Sequence, residues 1–118
     1  MGKRHGFSRD ERVRRAGDFD RAFREGRRCK GRLMTVRCAP NHLPYSRLGI
    51  ALGRGWKRSV ARNRAKRLLR EAFRTHKHAL PQGLDVVVAP WSGWGEPTLE
   101  AVASELVRLV ARAAEELG

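Results

Sequence analysis

The sequence predicts an α+β fold, a two-layer α/β sandwich in the order α-β-β-(β)-α-β-α, and three features predict it. An amphipathic helical pattern occupies the middle of the chain, from Ala61 to about Thr75; alternating apolar runs at 32–39 and 47–52 precede it, and a continuous apolar run at 84–89 follows it. A second long amphipathic pattern, Leu99 to Leu117, closes the chain. Helices with one apolar stripe and strands with one apolar face bury them against each other in layers. At 118 residues the expectation is one domain, with roughly 60 to 70% of the unfolded surface buried.

Residues 1–12 are rich in Arg and Lys, contain Gly2 and Gly6 and show little periodicity, so they read as a basic, flexible arm ahead of a single domain spanning 13–118. A short helix is expected from Asp18, as its cap, to Glu25, with Gly26 as its stop. Phe19, Ala22 and Phe23 share one of its faces, and Val13 packs just ahead of them. Two Phe residues in so short a helix mean either core contact or a partly exposed ring able to stack on an unpaired base for ~1–3 kcal/mol. Arg21, Arg24, Arg27, Arg28, Lys30 and Arg32 would supply phosphate contacts beside such rings.

In the strand 32–39, Met34, Val36 and Cys38 line one face and Leu33, Thr35 and Arg37 the other. A loop with Pro40, Asn41, Pro44 and Ser46 leads to the strand 47–52, where Leu48, Ile50 and Leu52 oppose Arg47, Gly49 and Ala51. The central helix follows, with Ser59 as its expected N-cap and Pro81 and Gly83 ending the region. Three adjacent valines in 84–89 fit a strand covered on both faces and parallel to a neighbour, with Asp85 placed to pair with a cation. Trp91 and Trp94 lie in the next loop, as satellite core or as a stacking surface, and Thr98 is placed to cap the last helix.

The charge is lopsided. Residues 1–78 carry 24 Lys and Arg against 6 Asp and Glu, whereas residues 79–118 carry 2 against 6, for a chain total of +14. Such an excess favours anionic partners. In the central helix the apolar stripe is Ala61, Ala65, Leu68, Leu69, Ala72 and Phe73; Asn63, Lys66, Arg67, Arg70 and Arg74 fall opposite it, and Arg62 and Arg64 lie at its two edges. Cations near a helix start oppose the macrodipole, so something outside the helix wants them there, and polyanionic phosphate is the expected partner. No apolar run approaches the roughly 20 residues of a membrane span, and the basic start leads into no secretory segment, so a cytoplasmic protein with reduced Cys29 and Cys38 is expected. The acidic residues are scattered and no Ser/His/Asp, Cys/His or metal-carboxylate set stands out, so an active site of its own is not expected.

The segment G-R-G-W-K-R-S-V-A-R-N-R-A-K-R-L-L-R-E-A-F-R at 53–74 resembles the signature of the bacterial ribonuclease P protein subunit, whose hallmark R-N-R is here Arg62, Asn63 and Arg64. D-F-x-x-x-F-x-x-G, here Asp18, Phe19, Phe23 and Gly26, resembles the family's first helix, and R-L-G-I-A-L its strand before the glycine turn. The resemblance spans about residues 12–112 and implies a fold like ribosomal protein S5 domain 2, with an uncommon left-handed β-α-β crossover.

It also implies an accessory subunit, inactive alone, of a ribonucleoprotein endoribonuclease whose RNA removes the 5′ leader of precursor tRNA with Mg²⁺. The implied partners are the ribonuclease P RNA subunit and precursor tRNA, with no stable protein partner. Lys57, Arg58, Arg62, Asn63, Arg64, Lys66, Arg67 and Arg70 map onto the face for the RNA subunit, and Phe19, Phe23, Val36 and Arg37 onto the leader cleft. The chain departs from relatives at Val36, often aromatic, at Trp56, commonly aliphatic, and after strand 84–89, where Ala89-Pro90-Trp91 stands in place of an Arg. A ribosomal or ribosome-associated RNA-binding protein is the alternative.

Overall fold

A computed structural model describes residues 9–117. A 3-10 turn, Arg9–Glu11, precedes α1 (Ala16–Glu25), β1 (Arg27–Lys30), β2 (Met34–Pro40), β3 (Arg47–Ile50) and α2 (Ser59–Thr75); a second 3-10 turn, Lys77–Ala79, leads to β4 (Leu84–Pro90) and α3 (Leu99–Leu117). The strands form one sheet in the order β1-β2-β4-β3, antiparallel except for the β3–β4 pair that α2 connects.

Alternation along the strands sorts side chains between two layers. Met34, Val36, Cys38, Leu48, Val86 and Val88 turn to the face that carries α2 and α3, where Leu69, Phe73, Leu106 and Val110 complete the core. The other face presents Arg28 and Lys30 of β1, Thr35 and Arg37 of β2, and Asp85, Val87 and Ala89 of β4, with α1 lying across part of it against β2 and β4. Val36 therefore cannot line a cleft with α1: it is fully buried on the opposite side of the sheet from Arg37, its neighbour in sequence.

The sheet has two differently finished edges. Beside β3, Arg12 bridges in parallel to Leu48, and the Val13 amide donates to the Leu48 carbonyl at 2.9 Å. Of the expected flexible arm, residues 1–8 lie outside the described residues, while 9–12 make this turn and bridge. At the opposite edge, β1 buries only Cys29 and leaves Arg27, Arg28 and Lys30 exposed. Its four residues, three of them cations, give too short an alternation to stand out beside β2 in the sequence.

Two buried carboxylates fasten the layers. Glu105 of α3 accepts the amides of Arg32, Leu33 and Met34 at 3.2, 2.7 and 3.1 Å, which fixes the β1–β2 turn. A Cβ at Gly31 would sit 2.4 Å from that carboxylate, so a larger residue there would push Glu105 away from the amides it holds. Asp85 plays the corresponding part for α1, through Arg21 at 2.8 Å.

The helix starts differ from expectation. α1 begins at Ala16 behind Arg15, and Asp18 is no cap; its carboxylate lies 3.9 Å from Arg21 and 3.4 Å from Arg47. Ser59 is the first residue of α2 and Arg58 occupies the cap position without a side-chain bond. Thr98 does cap α3, its hydroxyl accepting the Ala101 amide at 3.1 Å.

Candidate nucleic-acid interface

α2 presents its cations because its other side is committed. Ala65, Leu69, Ala72 and Phe73 are buried against the sheet and α3, which leaves Asn63 and Arg67 facing outward and the remaining cations on the flanks. Among the described residues, Lys57, Arg58, Lys66, Arg67 and Arg70 have no carboxylate within ion-pair distance, and Arg64 meets only the exposed Glu96 at 3.7 Å. An ion pair so open to water holds its cation weakly. A groove of about 560 Å³ runs along this surface, lined by Arg12, Arg64, Arg67, Arg70 and Arg74 with Leu68, Glu71 and Leu99.

Two members of the expected set have further duties. Arg62 Nη1 donates to the Trp56 carbonyl at 2.8 Å and so pins the turn that delivers Lys57 and Arg58. Trp56 is itself buried, its indole N–H donating to the Pro90 carbonyl at 3.0 Å and its ring meeting Trp94 edge-on at 5.7 Å. That departure from the aliphatic residue of relatives is thus a packing residue. Arg70, half-buried toward β3, has its pKa lowered by burial and then by the neighbouring Arg12, a contribution from the N-terminal segment that carried no periodic signal in the sequence. Desolvated guanidinium groups side by side bind an anion more favourably than isolated ones, because the anion relieves both repulsion and lost hydration.

The second surface lies under α1 on the other face of the sheet. Gly26 allows it: a Cβ there would stand 2.4 Å from the Ala22 carbonyl oxygen and 2.9 Å from that of Cys38, so only glycine lets the end of α1 settle on β2. Phe23 then projects beside β2, 44% exposed, with the Arg37 guanidinium 4.6 Å from its ring centroid. Burial and then Arg28 lower the pKa of Arg37, a second cation short of a counter-charge. Phe19 is partly buried: its ring lies over Gly49, where a Cβ would come within 3.0 Å of it, and beside Val13. The two phenylalanines thus divide the alternatives between them, Phe19 mainly packing and Phe23 mainly open. Trp94 and Trp91 divide likewise, Trp94 partly buried against the core and Trp91 exposed.

Among the described residues no three His, Cys, Asp or Glu side chains come together as a metal site. Asp85 and Glu105, the buried carboxylates, are already filled by guanidinium, amide and backbone donors. Cys29 and Cys38 are both free and buried.

Comparison with known proteins agrees with this geometry. The sequence model of the family described as Ribonuclease P matches residues 7–114. The chain is 42% identical over 84 residues to the ribonuclease P protein component of Thermotoga maritima, covering 71% of this chain and 72% of that one. To the corresponding component of Desulfovibrio desulfuricans it is 36% identical over 119 residues, covering 98% and 92%. Its fold superposes on the solved RNase P protein of Thermotoga maritima in complex with 1-(4-fluorophenyl)-2-thiourea with a TM-score of 0.78 at 35% identity, over 86% of this chain and 98% of that one. For the RNase P protein of Staphylococcus aureus the TM-score is 0.75 at 26% identity, over 87% and 94%.

Proposed function

The chain belongs to the ribonuclease P protein family, and on that premise we propose that it joins two RNA stretches: the catalytic RNA subunit on the α2 face, and the single-stranded 5′ leader of precursor tRNA in the cleft between α1 and the sheet. The observation that carries this reading is the placement of two cationic surfaces in different layers of one small fold, each with a partly desolvated Arg beside a second Arg. Arg58, Arg62, Asn63, Arg64, Lys66, Arg67 and Arg70 with Lys57 form the first surface, and contacts of this kind set register on phosphate without reading sequence. Phe23 and Arg37, with Phe19 behind them, form the second, suited to an unpaired strand of any sequence. Val36 has no part in it.

The protein's contribution to cleavage is assembly and substrate positioning, and the RNA carries the chemistry. Among the described residues the carboxylates do not suit a protein-held Mg²⁺, since the buried ones are saturated and no cluster of three forms among the rest. The Mg²⁺ of the holoenzyme is accordingly assigned to RNA. No helix among the described residues is long and apolar enough to cross a membrane, and the proposal places the protein in the cytoplasm with its RNA partners.

Reconstitution tests the reading. The protein alone is expected to leave precursor tRNA intact, the RNA subunit alone to cleave it slowly at low Mg²⁺, and the mixture to cleave faster. No acceleration with the cognate RNA subunit would overturn the assignment and favour rRNA binding without processing.

A further inference from the structure

Trp91 is an exposed aromatic residue outside the α1 cleft, 37% accessible. It continues the alternation of Asp85, Val87 and Ala89 onto the sheet face shared with Arg37, and the Lys30 ammonium stands 5.6 Å from its ring centroid. Its position is fixed. The Trp91 amide donates to the Leu33 carbonyl at 3.0 Å and its indole N–H to the Gly31 carbonyl at 3.2 Å, both on the turn that Glu105 holds from behind. The only polar group of the indole is thereby satisfied by protein, leaving a ring whose remaining use is stacking.

The distance to the α1 cleft is set by strand geometry. Val87 pairs with Arg37, and Trp91 lies four residues further along the same line, about 13 Å at ~3.3 Å per residue. Thr35 and Ala89 pave the interval, and Arg28 and Lys30 flank it from β1. Among the described residues none of Arg28, Lys30, Arg32 or Arg37 is ion-paired to a carboxylate.

We propose that Trp91, with Lys30, is a second nucleobase-stacking station for the precursor-tRNA leader, roughly two to four nucleotides from the Phe23–Arg37 station, between an extended strand and one stacked at ~3.4 Å per nucleotide. The proposal extends the leader-binding reading and rests on it. The leader track crosses the whole open face of the sheet, small residues forming its floor and cations its rim. Lys30 exchanges its place over the indole for a phosphate as the base arrives.

The test uses the reconstituted holoenzyme and precursor tRNAs whose leaders grow one nucleotide at a time, comparing the unaltered protein with Trp91→Ala, Trp91→Phe and Arg37→Ala. The expected result is a ratio of unaltered to Trp91→Ala affinity that grows with leader length, reaching about fivefold or more, with Trp91→Phe recovering most of it. The length at which the Arg37→Ala ratio rises should differ by a few nucleotides, and the order of the two rises gives the polarity of the leader on the sheet. Two outcomes overturn the proposal: a Trp91→Ala ratio near one at every length, or an equal loss with leaderless tRNA, which marks a merely structural residue. If the Arg37→Ala ratio also stays flat, the leader-binding reading itself fails; if Arg37→Ala responds and Trp91→Ala does not, only the second station does.

Discussion

Asp85 and Arg47 are direct partners across the parallel β3–β4 ladder, joined by two hydrogen bonds at 2.7 and 2.6 Å, with the carboxylate wholly buried. Arg21 of α1 adds a third donor at 2.8 Å and Asn41 a fourth at 3.0 Å. The pair thus ties both strands and the helix over them to one atom group. Replacing Asp85 by Ala leaves two guanidiniums facing each other over a void, and the expected loss of stability in denaturant unfolding is about 3–5 kcal/mol. Leader affinity should fall with it, since α1 loses its attachment.

The two phenylalanines of α1 should separate cleanly. Phe23→Ala removes an exposed ring, so the fold should keep its unfolding midpoint within about 0.5 kcal/mol while affinity for leader-bearing substrate drops by ~1–3 kcal/mol relative to leaderless tRNA. Phe19→Ala uncovers Gly49 and Val13, and should cost about 2 kcal/mol of stability with no leader selectivity of its own.

On α2 a titration with salt distinguishes neighbours. Arg67→Ala should weaken binding to the RNA subunit, make the slope of log affinity against log salt shallower by about 0.9, and leave thermal stability unchanged. Arg62→Ala should do the same and also lose about 1 kcal/mol of stability, because its guanidinium holds the Trp56 carbonyl.

Much of this was legible in the sequence, for identifiable reasons. The α2 stripe, the alternation in β2 and the valine run of β4 are long enough for periodicity to speak, and a lone acid at the start of an apolar strand marks Asp85 as the partner of some cation, which the fold makes Arg47. The cap expected at Thr98 forms, whereas Asp18 is drawn away from a helix start to Arg47 and Arg21, tertiary partners that local pattern does not show. The family resemblance puts Val36 in the leader cleft, but its parity with Met34 and Cys38 puts it on the core side, where the structure has it. The pairing of Arg12 with Arg70 and of Arg28 with Arg37 needed the fold, since each joins residues from separate elements.

The core thiol gives a pH test. Burial pushes the pKa of Cys38 from its ordinary 9.0 to about 12, with Cys29 adding to the rise. A thiol that ionises more readily unfolded than folded contributes nothing below pH 9.0 and lowers stability between the two values. The expected loss is about 1.4 kcal/mol per pH unit in that window, followed by thermal unfolding. Cys38→Ala should start from a lower midpoint yet decline less steeply, and native Cys38 should resist alkylation until the protein unfolds.

β1 closes the sheet with a row of unpaired backbone groups, and Arg27, Arg28 and Lys30 stand along it. A second copy trying to extend the sheet there would have to bring its own like charges alongside and strip their water. The cations proposed to receive a nucleic acid thereby also oppose edge-to-edge pairing of two chains. Neutralising Arg27, Arg28 and Lys30 should therefore both weaken RNA binding and promote self-association.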